Sequence, residues 1–384
     1  MVTETEHILG KLVAFPTVSR DSNLEMIRYI ESYLAKMDIE SVLTFNEEQT
    51  KANLYAVFGP GSTGGVMLSG HTDVVPTDGQ DWTVDPFRMT RKGDRLYGRG
   101  TTDMKGFIAS VLAMIPGARA RHLKHPVHLA FSYDEEIGCV GVRRMIDMLE
   151  TAPQQPGFCI IGEPTSLEVA IAHKGKTAVV CRCRGVEAHS AMSANGLNAI
   201  YLATEMIQGI RAIQSEIRAN RARDGMYSVP YTTLHVGTIE GGTALNIIPR
   251  RCEFRFEIRN LASDDPVEIM DRIENLANEI TARYSARFPQ AGIELEIFNT
   301  YPSLDTAAEE EEVAFVRGLA QTDHPVKLDF GTEGGLFRTR LGLPTVVCGP
   351  GSMEQGHKPD EFVSRAQLAR CDAFLGRLLD RLCE

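Results

Sequence analysis

The sequence predicts an α/β protein: a mainly parallel sheet with helices on both faces, interrupted by an inserted α+β domain of ferredoxin-like βαββαβ order. Three observations predict it. Up to about residue 176, helical and strand-like hydrophobic patterns alternate, as they do in a parallel sheet with crossover helices. From residue 177 the order becomes strand, helix, strand, strand, helix, strand, a compact split motif. After residue 300 the first style returns, so residues 1–176 and 300–384 form one discontinuous domain around an insert at 177–299. The 384 residues suffice for two cores, because single cores rarely grow beyond about 250–300 residues.

In the first part, NLEMIRYIESYLAKM (23–37) has helical apolar spacing, and ANLYAVFG (52–59) and GVMLSG (65–70) read as strands. GFIASVLAMI (106–115) reads as a helix, HLAFSY as a strand, GVRRMIDMLE as a helix and FCIIGE (158–163) as a strand. In the insert, TAVVCRCRG, YTTLHVGTIEG, RCEFRFEIR and IELEIFN are strands. LNAIYLATEMIQGIRAIQSEI and PVEIMDRIENLANEITARYSA are its two helices. A helix at 309–320, the strand PTVVCGPG and a closing helix finish the outer domain.

Composition narrows the function. Hydrophobic content of 43% and charged content of 24% are ordinary globular values. The formal charge of −11, with no basic run, argues against a nucleic-acid partner. No apolar stretch approaches the ~18 residues of a membrane helix, and MVTETEHILGKLVAF lacks the basic start of a secretory signal. The eight cysteines are scattered without a C-x-x-C pair. Cys181 and Cys183 alternate onto one strand face, where packing explains them. A reducing, cytoplasmic setting fits.

In an open α/β sheet, ligands bind beyond the carboxyl ends of the strands. There the sequence places His71 and Asp73 after VMLSG, and Glu135 and Glu136 after HLAFSY. Glu163 ends FCIIGE, His357 follows PTVVCGPG, and Asp103 precedes a helix in LYGRGTTDMKG. Singly, such an acid is a helix cap or a solvated loop residue, and such a histidine is a packed side chain. Six together (His71, Asp103, Glu135, Glu136, Glu163 and His357) make a mixed N/O donor set suited to zinc or a similar divalent ion. Other polar groups have simpler readings. RHLKHPVH (121–128) is a helix-to-strand connection, and the acids at 309–312 open a helix, where they offset its dipole. Asp78, Asp81 and Asp85 lie in a solvated loop around the only tryptophan.

The motifs SGHTDVVP (69–76), GRGTTDMKG (98–106), DEEIG (134–138), GEPTS (162–166) and EQGHKPDEF (354–362) resemble the di-zinc deacylase family. That family comprises acetylornithine deacetylase, succinyl-diaminopimelate desuccinylase and carboxypeptidase G. GVEAHSA (185–191), LNIIP (245–249) and FEIR (256–259) of the insert match as well, so the resemblance covers nearly the whole chain. GTEGGLF (331–337) and CGPGSMEQGHKPDEF (348–362) look most like its acetylornithine-cleaving members.

The resemblance implies two divalent metal ions, zinc or alternatively cobalt, bridged by Asp103. His71 and Glu163 complete one site, and Glu136 and His357 the other. Asp73 fixes the tautomer of His71, and Glu135 is the general base. His189, reaching over from the partner of a homodimer formed by the inserted lid domain, stabilises the oxyanion. Arg259 and Asn246 match positions that bind a substrate α-carboxylate, and Glu333 is the candidate reader of a substrate ammonium. Arg338 departs from the uncharged residue expected after GTEGGLF. The implied reaction is hydrolysis of N2-acetyl-L-ornithine to ornithine and acetate for arginine biosynthesis. Alternatives are desuccinylation of succinyl-diaminopimelate, deacylation of another N-acyl amino acid, or a non-catalytic binding relative.

Overall fold

The computed structural model describes residues 2–61, 63–153 and 155–384. The first part of the chain runs through α1 (Glu4–Val13), α2 (Leu24–Ala35), β1 (Ser41–Phe45), β2 (Ala52–Phe58), β3 (Val66–His71), β4 (Thr90–Lys92) and β5 (Arg95–Tyr97). It continues with α3 (Lys105–Arg119), β6 (Val127–Ser132), α4 (Val142–Thr151), β7 (Phe158–Pro164) and β8 (Ala170–His173). Then follow β9 (Lys176–Arg184), α5 (Ala199–Asn220), β10 (Thr233–Gly241), β11 (Arg251–Arg259), α6 (Pro266–Ser285) and β12 (Gly292–Tyr301). The last part holds β13 (Leu304–Asp305), α7 (Glu311–Ala320), β14 (Val326–Leu328), α8 (Gly334–Leu341), β15 (Thr345–Gly349), β16 (Phe362–Ser364) and α9 (Arg365–Arg381). The chain up to Ala172, with Leu304–Lys327 and Thr332–Glu384, forms one compact unit; His173–Ser303 with Leu328–Gly331 forms a second.

The large sheet of the first unit has the order β1-β2-β6-β3-β7-β15-β8-β13, with β14 beside β8. Its centre, β6-β3-β7-β15, is parallel. Every residue of β3 and β6 is buried, so both faces of this centre are covered. This is why both strands read as largely apolar runs rather than as strictly alternating ones. α1, α3 and α9 pack in series, and α4 packs against α8.

The sheet is mainly parallel, as expected, and its flanks supply the exceptions: β1, β2 and β8 join antiparallel. The reason at one edge is local. β1 and β2 are joined by a short turn closed by Asn46 N–H on the Lys51 carbonyl at 3.0 Å, far too short for a parallel crossover.

In the second unit β10-β11-β9-β12 form an antiparallel sheet. Chain order β9-α5-β10-β11-α6-β12 makes it βαββαβ, as the hydrophobic patterns predict. Cys181 and Cys183 lie with Phe254 and Phe256 in its core, their sulfurs 4.0 Å apart. Among the described residues no helix is long and apolar enough to cross a membrane.

Candidate metal centre

The parallel centre of the sheet explains how distant residues meet. β3, β6, β7 and β15 are neighbours running the same way, so whatever follows each strand emerges at one edge. His71 is the last residue of β3, and Glu163 lies near the end of β7. Glu135 and Glu136 sit in the turn after β6, where Asp134 takes a left-handed φ of 55°. His357 lies in the loop after β15, itself left-handed at φ 61°, and Asp103 precedes α3.

The structure brings all six together. Asp103 holds an imidazole on each carboxylate oxygen: Oδ1 lies 3.1 Å from His71 Nε2, and Oδ2 3.1 Å from His357 Nε2. Glu163 Oε1 is 3.6 Å from His71 Nε2, and Glu136 Oε2 3.1 Å from His357 Nε2. Ligand atoms of His71, Asp103 and Glu136 fall within 4.8 Å of one another, as do those of His71, Glu135 and Glu163. Glu135, expected to stand free as the base, is thus also within reach of a cation held by His71 and Glu163.

The shell behind these residues is equally ordered. His71 Nδ1 lies 2.9 Å from the Asp73 main-chain carbonyl and 3.5 Å from its carboxylate. The Asp73 carboxylate accepts the backbone N–H groups of Glu135 (3.1 Å) and Glu136 (3.3 Å) and the Ser19 hydroxyl (2.7 Å). Lys51 reaches Asp134 at 2.5 Å and donates to the Ser19 carbonyl, tying the same two segments together.

Crowding of charge in a dry volume sets the electrostatics. Burial, with the Asp103 charge adding to it, raises Glu136 to about 7. Burial also pushes Glu135 and Glu163 well above the carboxylate range. For Asp103 burial acts upward too, but hydrogen bonds from His357 and His71 outweigh it and hold the carboxyl low. Hydrogen bonds to Asp103 and Glu136 lift His357 to about 11. Burial would lower His71, yet the Glu163 charge and the Asp103 bond carry it well above its ordinary value. Five carboxylates (Asp73, Asp103, Glu135, Glu136 and Glu163) therefore compete for the positive charge of two imidazoles. Divalent cations fit this donor set, since they let the acids ionise together.

The other expected site residues fall as follows. Glu333 stands at the start of α8 without a side-chain capping bond and is 1% exposed; its Oε1 has no hydrogen-bond partner among the described residues, and burial raises its carboxyl to about 7. In the second unit, His189 is exposed at the start of a 3-10 turn, with Nδ1 accepting Ala191 N–H at 3.1 Å. Asn246 is close by, its carbonyl accepting Ser190 N–H at 2.9 Å. Arg259 is forked onto Glu257 at 3.1 Å twice and donates to the Tyr301 hydroxyl at 2.9 Å. Arg338 is engaged by Glu310 at 2.7 and 3.2 Å, an ion pair that accounts for the charge there. His128 of the triple-histidine stretch is buried against the Tyr55 hydroxyl and the Gly64 carbonyl. Ser19 and Lys51, which hold the Asp73 and Asp134 carboxylates, carry no motif that would mark them in the sequence.

An imidazole–carboxylate cluster at the carboxyl edge of a parallel sheet, buried except for the exposed His357, in a chain that also carries a βαββαβ insert, is the arrangement of a metal-binding α/β protein. The model described as Peptidase family M20/M25/M40 matches residues 67–381, and the chain belongs to that family. It is 33% identical over 384 residues to an acetylornithine deacetylase of Proteus mirabilis, covering 97% of this chain and 95% of that one. An acetylornithine deacetylase of Erwinia tasmaniensis is also 33% identical, with 98% and 97% covered. Among solved structures, an M20 family metallo-carboxypeptidase of Sulfolobus solfataricus superposes with a TM-score of 0.81 at 17% identity, covering 99% of both chains. A dinuclear metal-binding M20 peptidase of Bacillus subtilis gives 0.69 at 16% identity, covering 98% of this chain and 96% of that one.

Proposed function

We propose that the protein is a metal-dependent amidohydrolase that cleaves N2-acetyl-L-ornithine to L-ornithine and acetate, serving arginine biosynthesis in the cytoplasm. The observation that carries the metal reading is Asp103, whose two oxygens face two different imidazoles at 3.1 Å, the posture of a carboxylate between two cations. The acyl substrate comes from the relatives, acetylornithine deacetylases alike over nearly the full chain.

Asp103 would bridge the ions, with His71 and Glu163 on one side and Glu136 and His357 on the other; zinc suits these donors and cobalt would serve. When bound, such a pair of ions would polarise a carbonyl oxygen and bring water towards a pKa of ~7. Glu135 accepts the proton of the attacking water and returns it to the amine, which must leave protonated. Asp73 holds Glu135 and Glu136 by their backbone N–H groups and lies against His71, so one carboxylate sets both the base and a ligand. His189, exposed on the second unit, is assigned to the oxyanion from the partner copy of a homodimer.

Arg259 and Asn246 are assigned to the substrate carboxylate. For Arg259 this means sharing a guanidinium already held by Glu257 and Tyr301. Glu333, 1% exposed and with Oε1 unpartnered among the described residues, is assigned to the substrate ammonium.

Hydrolysis of a panel of N-acyl amino acids by zinc- and cobalt-loaded protein tests the reading. Acetylornithine should give the highest kcat/KM, and equal or better turnover of succinyl-diaminopimelate would move the substrate assignment within the family. Glu333→Gln should abolish the preference for acetylornithine over neutral N-acetyl amino acids. An unchanged preference would remove Glu333 as the ammonium reader.

A further inference from the structure

Asp103 and His357 come from segments far apart in the chain, and one buried ion pair stands behind both. Arg99 and Glu361 are each 1% exposed, with Nη1 2.7 Å from Oε2. The other Glu361 oxygen accepts the backbone N–H groups of Thr102 at 2.9 Å and Asp103 at 3.2 Å. Arg99 Nη1 also donates to the Lys358 carbonyl at 3.3 Å, one residue beyond His357.

Gln80 closes this network on the imidazole side. Its Oε1 accepts from Arg99 Nη2 and, at 3.0 Å, from Trp82 Nε1, while the Trp82 ring lies 5.0 Å from the guanidinium carbon. With the amide oxygen held by two donors, the flip of the side chain is decided, and the NH2 group must point the other way. It points to the His357 carbonyl, 3.0 Å away. His357 holds a φ of 61°, a left-handed backbone that a non-glycine residue keeps only where its surroundings impose it.

We infer that Gln80 is a positioning residue for the His357 side of the metal centre. Its amide, fixed by Arg99 and Trp82, holds the His357 main chain in the left-handed turn that aims the imidazole at Asp103 and Glu136. Gln80 touches no reacting atom and acts through His357. The effect is therefore one-sided: the site built on His357 and Glu136 depends on Gln80, and the site built on His71 and Glu163 does not. This inference rests on the two-metal reading proposed above.

The variant that isolates it is Gln80→Glu. It keeps an oxygen for Arg99 and Trp82 but replaces the amide donor with an oxygen that cannot donate to a carbonyl. Metal-free native and variant proteins are titrated with cobalt(II), followed by calorimetry and visible absorption. The native protein should take up two equivalents. In the variant one equivalent should bind as in the native protein, and the other about 10- to 100-fold more weakly, as when a ligand's outer partner is lost. The thermal midpoint of the metal-free protein should stay put. In a His357→Ala background Gln80→Glu should cost nothing further.

Two native-like equivalents in the variant, equal weakening of both, or an undiminished loss in the His357→Ala background would each overturn the inference. Failure of the native protein to bind two equivalents would instead sink the two-metal reading and the inference with it.

Discussion

Glu135 shows how much a single side chain here must reconcile. Its backbone N–H rests on Asp73 Oδ1 at 3.1 Å, and its Oε1 accepts the Cys139 thiol at 3.3 Å. Its carboxyl lies near enough to His71 and Glu163 to serve as a ligand as well as a base. Glu135→Gln separates the two roles, because the amide keeps the size and an acceptor for Cys139 but cannot take a proton. With the metal content unchanged, kcat should fall about 10²- to 10⁴-fold, the range of a positioned general base. Metal analysis of the purified variant decides the matter: an equivalent lost along with activity would make Glu135 a ligand. At this scale the ligand candidates were legible because each one ends or follows a recognisable apolar run or precedes a helix. Ser19, Lys51 and Gln80 were not. Their contacts span 54, 83 and 277 residues of sequence, and nothing near them in the chain announces the partner.

Secondary-structure elements place the cluster only if α3 lies close on the sheet, and Gly162 in β7 is where the fit is tightest. A Cβ there would come within 1.9 Å of the Phe107 ring of α3, so Ala at this position must push the helix away from the strand. Gly162→Ala should therefore destabilise by about 1–3 kcal/mol or more, and should also lower activity, because Asp103 lies two residues before α3 and Glu163 follows Gly162. Gly376 in α9 is the contrast, with nothing within 4 Å of an added Cβ. Ala there should be neutral or stabilise by roughly 0.5–1 kcal/mol through helix propensity. Urea unfolding of the two variants checks the pair, and similar effects at both positions would refute the packing argument. Sequence reading succeeded for elements whose burial has a clear period, such as β11 with its alternating pattern, or whose whole length is buried, such as β3. It did not find the antiparallel edge, because β1 is short and only partly buried and so lacks a strong signal of its own.

For the molecule as a whole, the pH dependence of stability draws on a group outside the metal cluster. His173 ends β8 fully buried; its Nδ1–H donates to the Lys174 carbonyl at 3.0 Å, and its ring meets Tyr301 edge-on at 6.5 Å. Its Nε2 has no hydrogen-bond partner among the described residues, so charging the ring would bury an N–H without an acceptor. Burial accordingly lowers His173 to about 4, against the partial opposition of the Lys174 carbonyl. Because the folded value lies below the unfolded one, the unfolded chain binds more protons between roughly pH 4 and 6.5, and stability rises with pH across that window. The stability is fully present above about pH 6.5, and about 3 kcal/mol of it is lost as the pH falls towards 4. His173→Leu removes the titration while keeping an apolar side chain of similar bulk. Urea unfolding of native and variant proteins from pH 7 to pH 4 should then show the native protein losing about 3 kcal/mol more than the variant. Parallel losses in both proteins would mean that His173 is charged, or solvated, in the folded state.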